Sequence, residues 1–242
     1  MFTVFKREIS SFLSSLIAYI VIVVFLLVTG LFMWVFPDYS LLDYGYASLD
    51  QLFIIGPWLF MFLIPAITMR FFSEEKRTGT IELLFTKPVT DLQIILGKFL
   101  AGFALVLFAV LPTILYAITL WYLADPVGNI DTGGILGSYI GLLLLGAVFV
   151  SIGIFASAIT ENQIVAFIVG LFLCFFMYSA FESLKLLNFP VKTQLILEQL
   201  GISSHFYAMS KGVLDTRDLV YFGSVISLFV MLTKTVLESR KW

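Results

Sequence analysis

Very few residues in this chain have the types and spacing that chemistry needs. The single histidine, His205, has no cysteine, second histidine or carboxylate at metal-ligand spacing beside it, so no metal site is expected there. The single cysteine, Cys174, lies inside an apolar run, where an inert buried thiol is expected, and one cysteine permits no intrachain disulfide. Gly97-Lys98 has the ending of a phosphate-binding loop, but Leu92 stands where the first glycine is required and Phe99 follows the lysine, so no phosphate cradle is read there. Neither a His-Glu-x-x-His helix nor a Gly-x-Ser-x-Gly elbow occurs, which removes the commonest routes to a hydrolase. Glu182 and Lys185 stand three positions apart near the end of an apolar stretch and can pair with each other. An intramembrane enzyme would need polar groups converging at one depth, and the scattered Ser and Thr residues form no such cluster. The reading is therefore of a chain with no catalytic residue, no metal and no cofactor.

The elements that carry these residues belong in lipid. Hydrophobic residues make up 60% of the 242 positions and charged residues 12%, and the mean hydropathy is +1.05, which no water-soluble fold can hide. Continuous apolar runs about twice the length of a barrel strand predict helices, since a span needs about 20 such residues. Six spans are predicted, at 13–36, 52–69, 97–122, 134–160, 164–184 and 219–237. With their connections they use nearly the whole sequence, so an ATPase is expected on another chain. The first run is too long for a removable signal core and no small-residue cleavage pattern follows it. Basic residues scattered at segment ends give no nucleic-acid surface, and the redox compartment stays open.

Orientation follows from Lys and Arg. Lys6, Arg7, Arg70, Lys76, Arg77, Lys87 and Lys98 place the N-terminus and the connection between spans two and three inside; Lys234, Arg240 and Lys241 do the same for the C-terminus. The connections at 37–51 and 123–133 hold only acids, Asp38, Asp43, Asp50, Asp125 and Asp131, and are expected outside. Trp34, Tyr39, Trp121, Tyr122 and Tyr139 flank those outer boundaries, as an interfacial aromatic belt requires. The connection at 188–218 disagrees, because it must be external in a six-span chain yet carries Lys192, Lys211 and Arg217; a five-span or re-entrant arrangement is the alternative. Its apolar content (Leu195, Ile196, Leu197, Leu200, Phe206, Met209) predicts two short helices at the outer interface. Ser203 or Ser204 would cap the second, Gly212 would follow its end, and Asp215 would cap the last span.

The inner connection at 70–96 is the most informative stretch. Glu74, Glu75, Lys76 and Arg77 extend the second span inward and Gly79 ends it; Thr80 then caps a short helix over 81–85 that Lys87-Pro88 terminates, and Thr90 with Gln93 forms a capping box for the third span. The short helix carries Glu82 on one side and Ile81, Leu84 and Phe85 on another, a composition that a groove on a soluble partner can grip; a plain solvated, positive-inside loop is the alternative. Residues 1–12 mix Phe2, Val4, Phe5 and Ile9 with Lys6, Arg7 and Glu8, which fits an amphipathic helix lying on the inner membrane surface, or else a frayed terminus.

The run Glu74-Glu75-Lys76-Arg77-Thr78-Gly79-Thr80-Ile81-Glu82-Leu83-Leu84, followed by Pro88-Val89 and Gly97-Lys98, resembles the signature of ABC-2 type transporter permeases. Within that family the opening stretch Phe5 to Tyr19 and the late Ser204-His205-Phe206, Lys211-Gly212-Val213-Leu214-Asp215 and Asp218-Leu219-Val220-Tyr221-Phe222 resemble the gliding-motility-associated permease subunits. The resemblance implies an all-α transmembrane domain over residues 1–242, with an inner-surface N-terminal helix, six spans, a cytoplasmic coupling helix between spans two and three and short outer helices before the last. It also implies a bacterial inner membrane location with both termini cytoplasmic, a cytoplasmic ATPase subunit (GldA-like), and a second membrane subunit (GldG-like) or a second copy of this chain. The contact with the ATPase would involve Glu74, Glu75, Arg77, Gly79, Thr80, Glu82, Leu83 and Leu84.

Gly133, Gly137 and Gly141 stand four apart, with Gly153 and Ser157 repeating the small spacing further on, and small residues at that interval let helices approach closely in lipid, within this subunit or between subunits. Pro57, Pro65 and Pro112 interrupt helical runs and are expected to kink them. The function read from all this is the permease half of an ATP-driven exporter linked to gliding motility. An anchoring subunit that turns ATPase motion into mechanical work is the alternative.

Overall fold

A computed structural model describes residues 1–37, 40–41, 46–85, 89–185 and 190–239, and of these the side chains of 83–85, 185, 191 and 195–198 are left aside. The protein is 84% helical, without strands among the described residues. In chain order the helices are α1 (Phe2–Leu13), α2 (Leu16–Trp34), α3 (Asp50–Thr68), α4 (Arg70–Arg77), α5 (Thr80–Phe85), α6 (Asp91–Val110), α7 (Ile114–Leu123), α8 (Thr132–Ile159), α9 (Gln163–Lys185), α10 (Val191–Leu200), α11 (Ile202–Ser210) and α12 (Thr216–Glu238). Among the described residues, six segments are long and apolar enough to cross a bilayer: α2, α3 continued by α4, α6 continued by α7, α8, α9 and α12. Every predicted span is matched by one of these.

The differences at the ends have local causes. The first span begins at Leu16 rather than at residue 13, because Ser14 ends α1 and the Ser15 side chain caps α2. Thr90 and Gln93 form the expected capping box, which lets α6 start six residues before the predicted span. Asp215 caps α12 through the Arg217 amide, and Gly79 and Gly212 both take the positive φ that ends a helix. The expected cap at Ser203 or Ser204 is corrected: α11 opens one residue after Gly201, so Ser203 is buried within its first turn and Ser204 donates back to the Gly201 carbonyl. Thr80 is likewise the first residue of α5 rather than its cap. Pro57 and Pro65 lie inside α3, and α3 is interrupted only at Met69; Pro112 instead is the middle residue of the 3-10 turn Leu111–Thr113 that joins α6 to α7.

The bundle is built around α8, which is 78% buried while α2, α9 and α12 are only 22–28% buried. That one number separates a core helix from peripheral ones. Glycines make the centre possible: a side chain on Gly146 would run into Val106 and Phe60, and one on Gly153 into Thr68. Alternation of the spans puts α1, α4, α5, the start of α6 and the end of α8 at one end of the bundle, and α10, α11 and the start of α12 at the other. Trp34, Trp121, Tyr122 and Tyr139 lie toward the second end. Asp38, Tyr39, Asp43, Lys87, Pro88, Arg240 and Lys241, used above for orientation and helix punctuation, lie outside the described residues, as do the side chains of Lys185, Leu195, Ile196 and Leu197.

Candidate functional site

α4 continues the second span after the Met69 interruption and buries Phe71, Phe72, Ser73 and Lys76. Lys76 and Arg77 in its last turn complement the negative end of the helix, and Gly79, at φ 69°, turns the chain into α5. The turn is tied by Thr78 Oγ1 donating to the Glu74 carbonyl at 2.8 Å and by a 2.9 Å bond between the Thr78 and Thr80 hydroxyls. Arg77, Thr78, Gly79, Thr80 and Glu82 are exposed, and Ile81 packs partly into the core. The side chains of Leu83 and Leu84 lie outside the described set.

Glu74 and Glu75, adjacent in sequence, have separate roles. Glu74 pairs with Arg70 one turn back at 2.9 Å on the half-exposed side. Glu75 turns inward to Lys98 at 2.9 Å and to Arg7 at 2.5 Å. Lys98 is wholly buried; its Nζ also donates to Glu8 at 2.9 Å and to the Phe71 carbonyl at 2.7 Å, and it sits 5.0 Å from the centre of the Phe72 ring. Arg7 closes the cluster on Glu8 at 2.6 Å. Two cations and two carboxylates from α1, α4 and α6 thus neutralise one another beside a 210 Å³ cavity. Gly97 lets this happen, because a side chain there would meet Val4 and the Met1 carbonyl and lift α1 off α6.

Sequence reasoning named Glu75 but missed Glu8 and Lys98, which are 90 positions apart. A local signal existed: Val4, Glu8 and Phe12 recur every fourth residue and form the buried face of α1, so a carboxylate sits in the middle of an apolar stripe. Such a group needs a buried cation.

Burial by itself would push the Glu8 carboxyl up, but Lys98 and then Arg7 outweigh it and hold Glu8 below its ordinary value of 4.5. A carboxylate lowered on folding stabilises fully above its unfolded pKa and loses that contribution as pH falls through the folded one. Hydrogen exchange of residues 2–13, corrected for intrinsic rates, is expected to stay slow from neutral pH to about 4.5 and to accelerate only below it. The Glu8→Gln chain should lack that acid step; a step in the wild type well above pH 4.5 would refute this.

At the other end, Gly137 and Gly141 face α11. A β-carbon on Gly137 would lie 2.2 Å from the Met209 carbonyl oxygen, and one on Gly141 would lie 3.2 Å from the Phe206 ring. A β-carbon on Gly133 would meet only Asp131 Oδ1, at 3.5 Å, whereas one on Gly212 would lie 3.0 Å from the Gly133 carbonyl carbon. Gly137 and Gly141 therefore let α11 lie close against α8. His205 bridges α11 to α12: its Nδ1 meets Asp218 at 2.6 Å, its Nε2 donates to the Gln199 carbonyl at 2.9 Å, and its ring stacks on Tyr221 with centroids 4.0 Å apart. Both ring nitrogens are engaged in a structural role. Among the described residues no three His, Cys, Asp or Glu side chains are grouped to hold a metal.

A family model described as ABC-2 family transporter protein matches residues 40–197, from just before α3 into α10, and so includes α4, α5 and α8. No individual curated protein matches the sequence. Six apolar spans, an all-helical architecture and a family match over most of the length agree, and the chain belongs to the ABC-2 family of transporter proteins, as a multi-pass membrane permease component.

Proposed function

We propose that this permease meets its cytoplasmic ABC ATPase through α4 and α5, with Arg77, Thr80 and Glu82 in the contact, Leu83 and Leu84 supplying its apolar part, and Gly79 setting the angle between the two helices. The observation that carries the reading is a contrast between two sides of one segment: Arg77, Thr78, Gly79, Thr80 and Glu82 are exposed, while Phe71, Phe72, Ser73 and Lys76 directly behind them are buried. An exposed short helix on an anchored base can be gripped and can pass a movement on; a solvated loop would lack the base. Glu74 and Glu75 support this contact from behind through Arg70, Lys98 and Arg7 rather than by touching the ATPase.

On this reading the α4–α5 end is cytoplasmic, both chain ends lie on that side, α1 rests its Phe2 and Leu13 side chains in the inner leaflet, and α10 and α11 lie at the outer interface. Pairing with a like or identical half forms the path. The resemblance of the opening and late stretches to GldF supports an exporter linked to gliding motility, with a GldA-like ATPase and a GldG-like membrane subunit.

The test is co-purification from mild detergent of the tagged wild type and of a Glu82→Arg, Leu84→Asp variant, with mass spectrometry of bound proteins. The expected result is an ATPase and a second membrane subunit with wild type, and loss of the ATPase alone from the variant. A variant that retains the ATPase would place the contact elsewhere.

A further inference from the structure

Movement entering at α5 has three candidate routes into the bundle: back along the chain into α3, across Lys98 into α6, or sideways into α8. The contacts differ in kind. Ser157, fully buried on α8, accepts the backbone amides of Phe72 at 2.8 Å and Ser73 at 3.1 Å and donates to the Met69 carbonyl at 3.0 Å. One hydroxyl thereby uses both acceptor sites and its proton on the first turn of α4. In return, the Lys76 ammonium of α4 donates to the Ala158 carbonyl in the last turn of α8, where the helix presents unpaired carbonyls and a negative end. Each helix caps the other.

Ser157 holds backbone through a side chain with a single rotor, so it fixes α4 against α8 far more tightly than Lys98 can through its four methylenes. Gly153, one turn before Ser157, removes the remaining clearance: a β-carbon there would lie 2.0 Å from Thr68 Oγ1, so the end of α3 is pressed against the same stretch of α8. The soft point lies just before it. Pro65 has no amide proton to give the carbonyl four residues back, and the helix is interrupted at Met69.

From these contacts we infer that residues 68–77 and the last two turns of α8 move as one body, pivoting near Pro65, so that the fourth span rather than the second receives what α5 transmits. Ser157 and Lys76 are the positioning residues of that transfer. The inference deepens the coupling reading above and depends on it for the direction of movement, whereas the clamp itself is a property of this chain alone.

The clamp is tested on the whole chain in lipid nanodiscs. Ser157→Ala is expected to raise hydrogen exchange of residues 70–77 roughly tenfold, the effect of removing a shared acceptor. Ser157→Thr, which keeps the hydroxyl, should restore slow exchange, as a merely space-filling role would not. Unchanged exchange in Ser157→Ala overturns the clamp. The transfer is tested with nitroxide labels in a Cys174→Ala background, one pair at Thr78 and Thr160, the other at Thr78 and Phe62. On adding ATP and vanadate to the complex with its co-purified ATPase, the 78–62 distance should change and the 78–160 distance should not. The Ser157→Ala, Lys76→Met double variant should broaden the 78–160 distribution. A changed 78–160 distance means the joint flexes, and two unchanged distances mean α3 belongs to the same body; either overturns the inference. If no ATPase is recovered, the docking reading fails, and the exchange result alone decides the clamp.

Discussion

Lys98→Met is expected to destabilise the protein by about 3–5 kcal/mol, more than any other single change considered. Lys98 is wholly buried, and its ammonium is the shared partner of Glu8 and Glu75. Removing it leaves two carboxylates facing each other with Arg7 as their remaining charge partner, and Arg7 reaches them from a half-exposed position. Part of the loss would be relieved by protonating Glu8, which Lys98 now holds ionised. Methionine fills the methylene volume, so a packing defect contributes little and the effect reads as electrostatic. The check is the thermal midpoint in mild detergent together with exchange of residues 2–13. The midpoint should fall and the exchange should rise sharply, and adding Glu8→Gln and Glu75→Gln to Lys98→Met should recover much of the loss, since neutral partners no longer need a cation. A Lys98→Met chain with a wild-type midpoint and a protected α1 would mean that the cluster contributes nothing net.

Gly137→Ala is the second large effect, with a cost of about 1–3 kcal/mol or more. The reason is geometric. The added carbon would lie 2.2 Å from the Met209 carbonyl oxygen and 3.2 Å from the Gly212 α-carbon, and both are backbone, so no rotamer change relieves the overlap. The helix α11 must move off α8, and the His205 bridge to Asp218 and Gln199 moves with it. Gly141→Ala is the internal control, because its new carbon meets only side-chain atoms, of Phe206 and Met209, at 3.2 Å and beyond. Exchange of residues 202–210 should rise strongly in the first variant and little in the second. Equal behaviour of the two would remove the close approach at Gly137 as the anchor of α11.

Both results bear on how the two ends of the molecule differ. At the α1 end, packing is set by charges brought together from three helices, and its strength is sensitive to acid. At the α11 end, it is set by the absence of side chains on α8.

What the sequence determined by itself was most of what depends on neighbours along the chain, the caps at Ser203 or Ser204 and at Thr80 excepted. The six spans follow from uninterrupted apolar runs, the α6 capping box from Thr90 and Gln93, the helix ends from Gly79 and Gly212, and the last cap from Asp215. Lipid forces each backbone to satisfy its hydrogen bonds within its own helix, so local pattern suffices there. The family signature at 74–84 was legible for the same reason, being one contiguous stretch. Tertiary structure alone decided which faces meet. Glu74 and Glu75 read as one acidic pair, yet the 100° step between successive helical residues sends the first back to Arg70 and the second inward to Lys98. Ser157 and Lys76 looked like a small residue and a positive-inside charge; only the side-by-side placement of α4 and the end of α8 makes each the other's cap. The partner of Glu8, on a helix 90 residues away, follows from how the helices pack, because nothing in an apolar span records which neighbour its one buried charge will face.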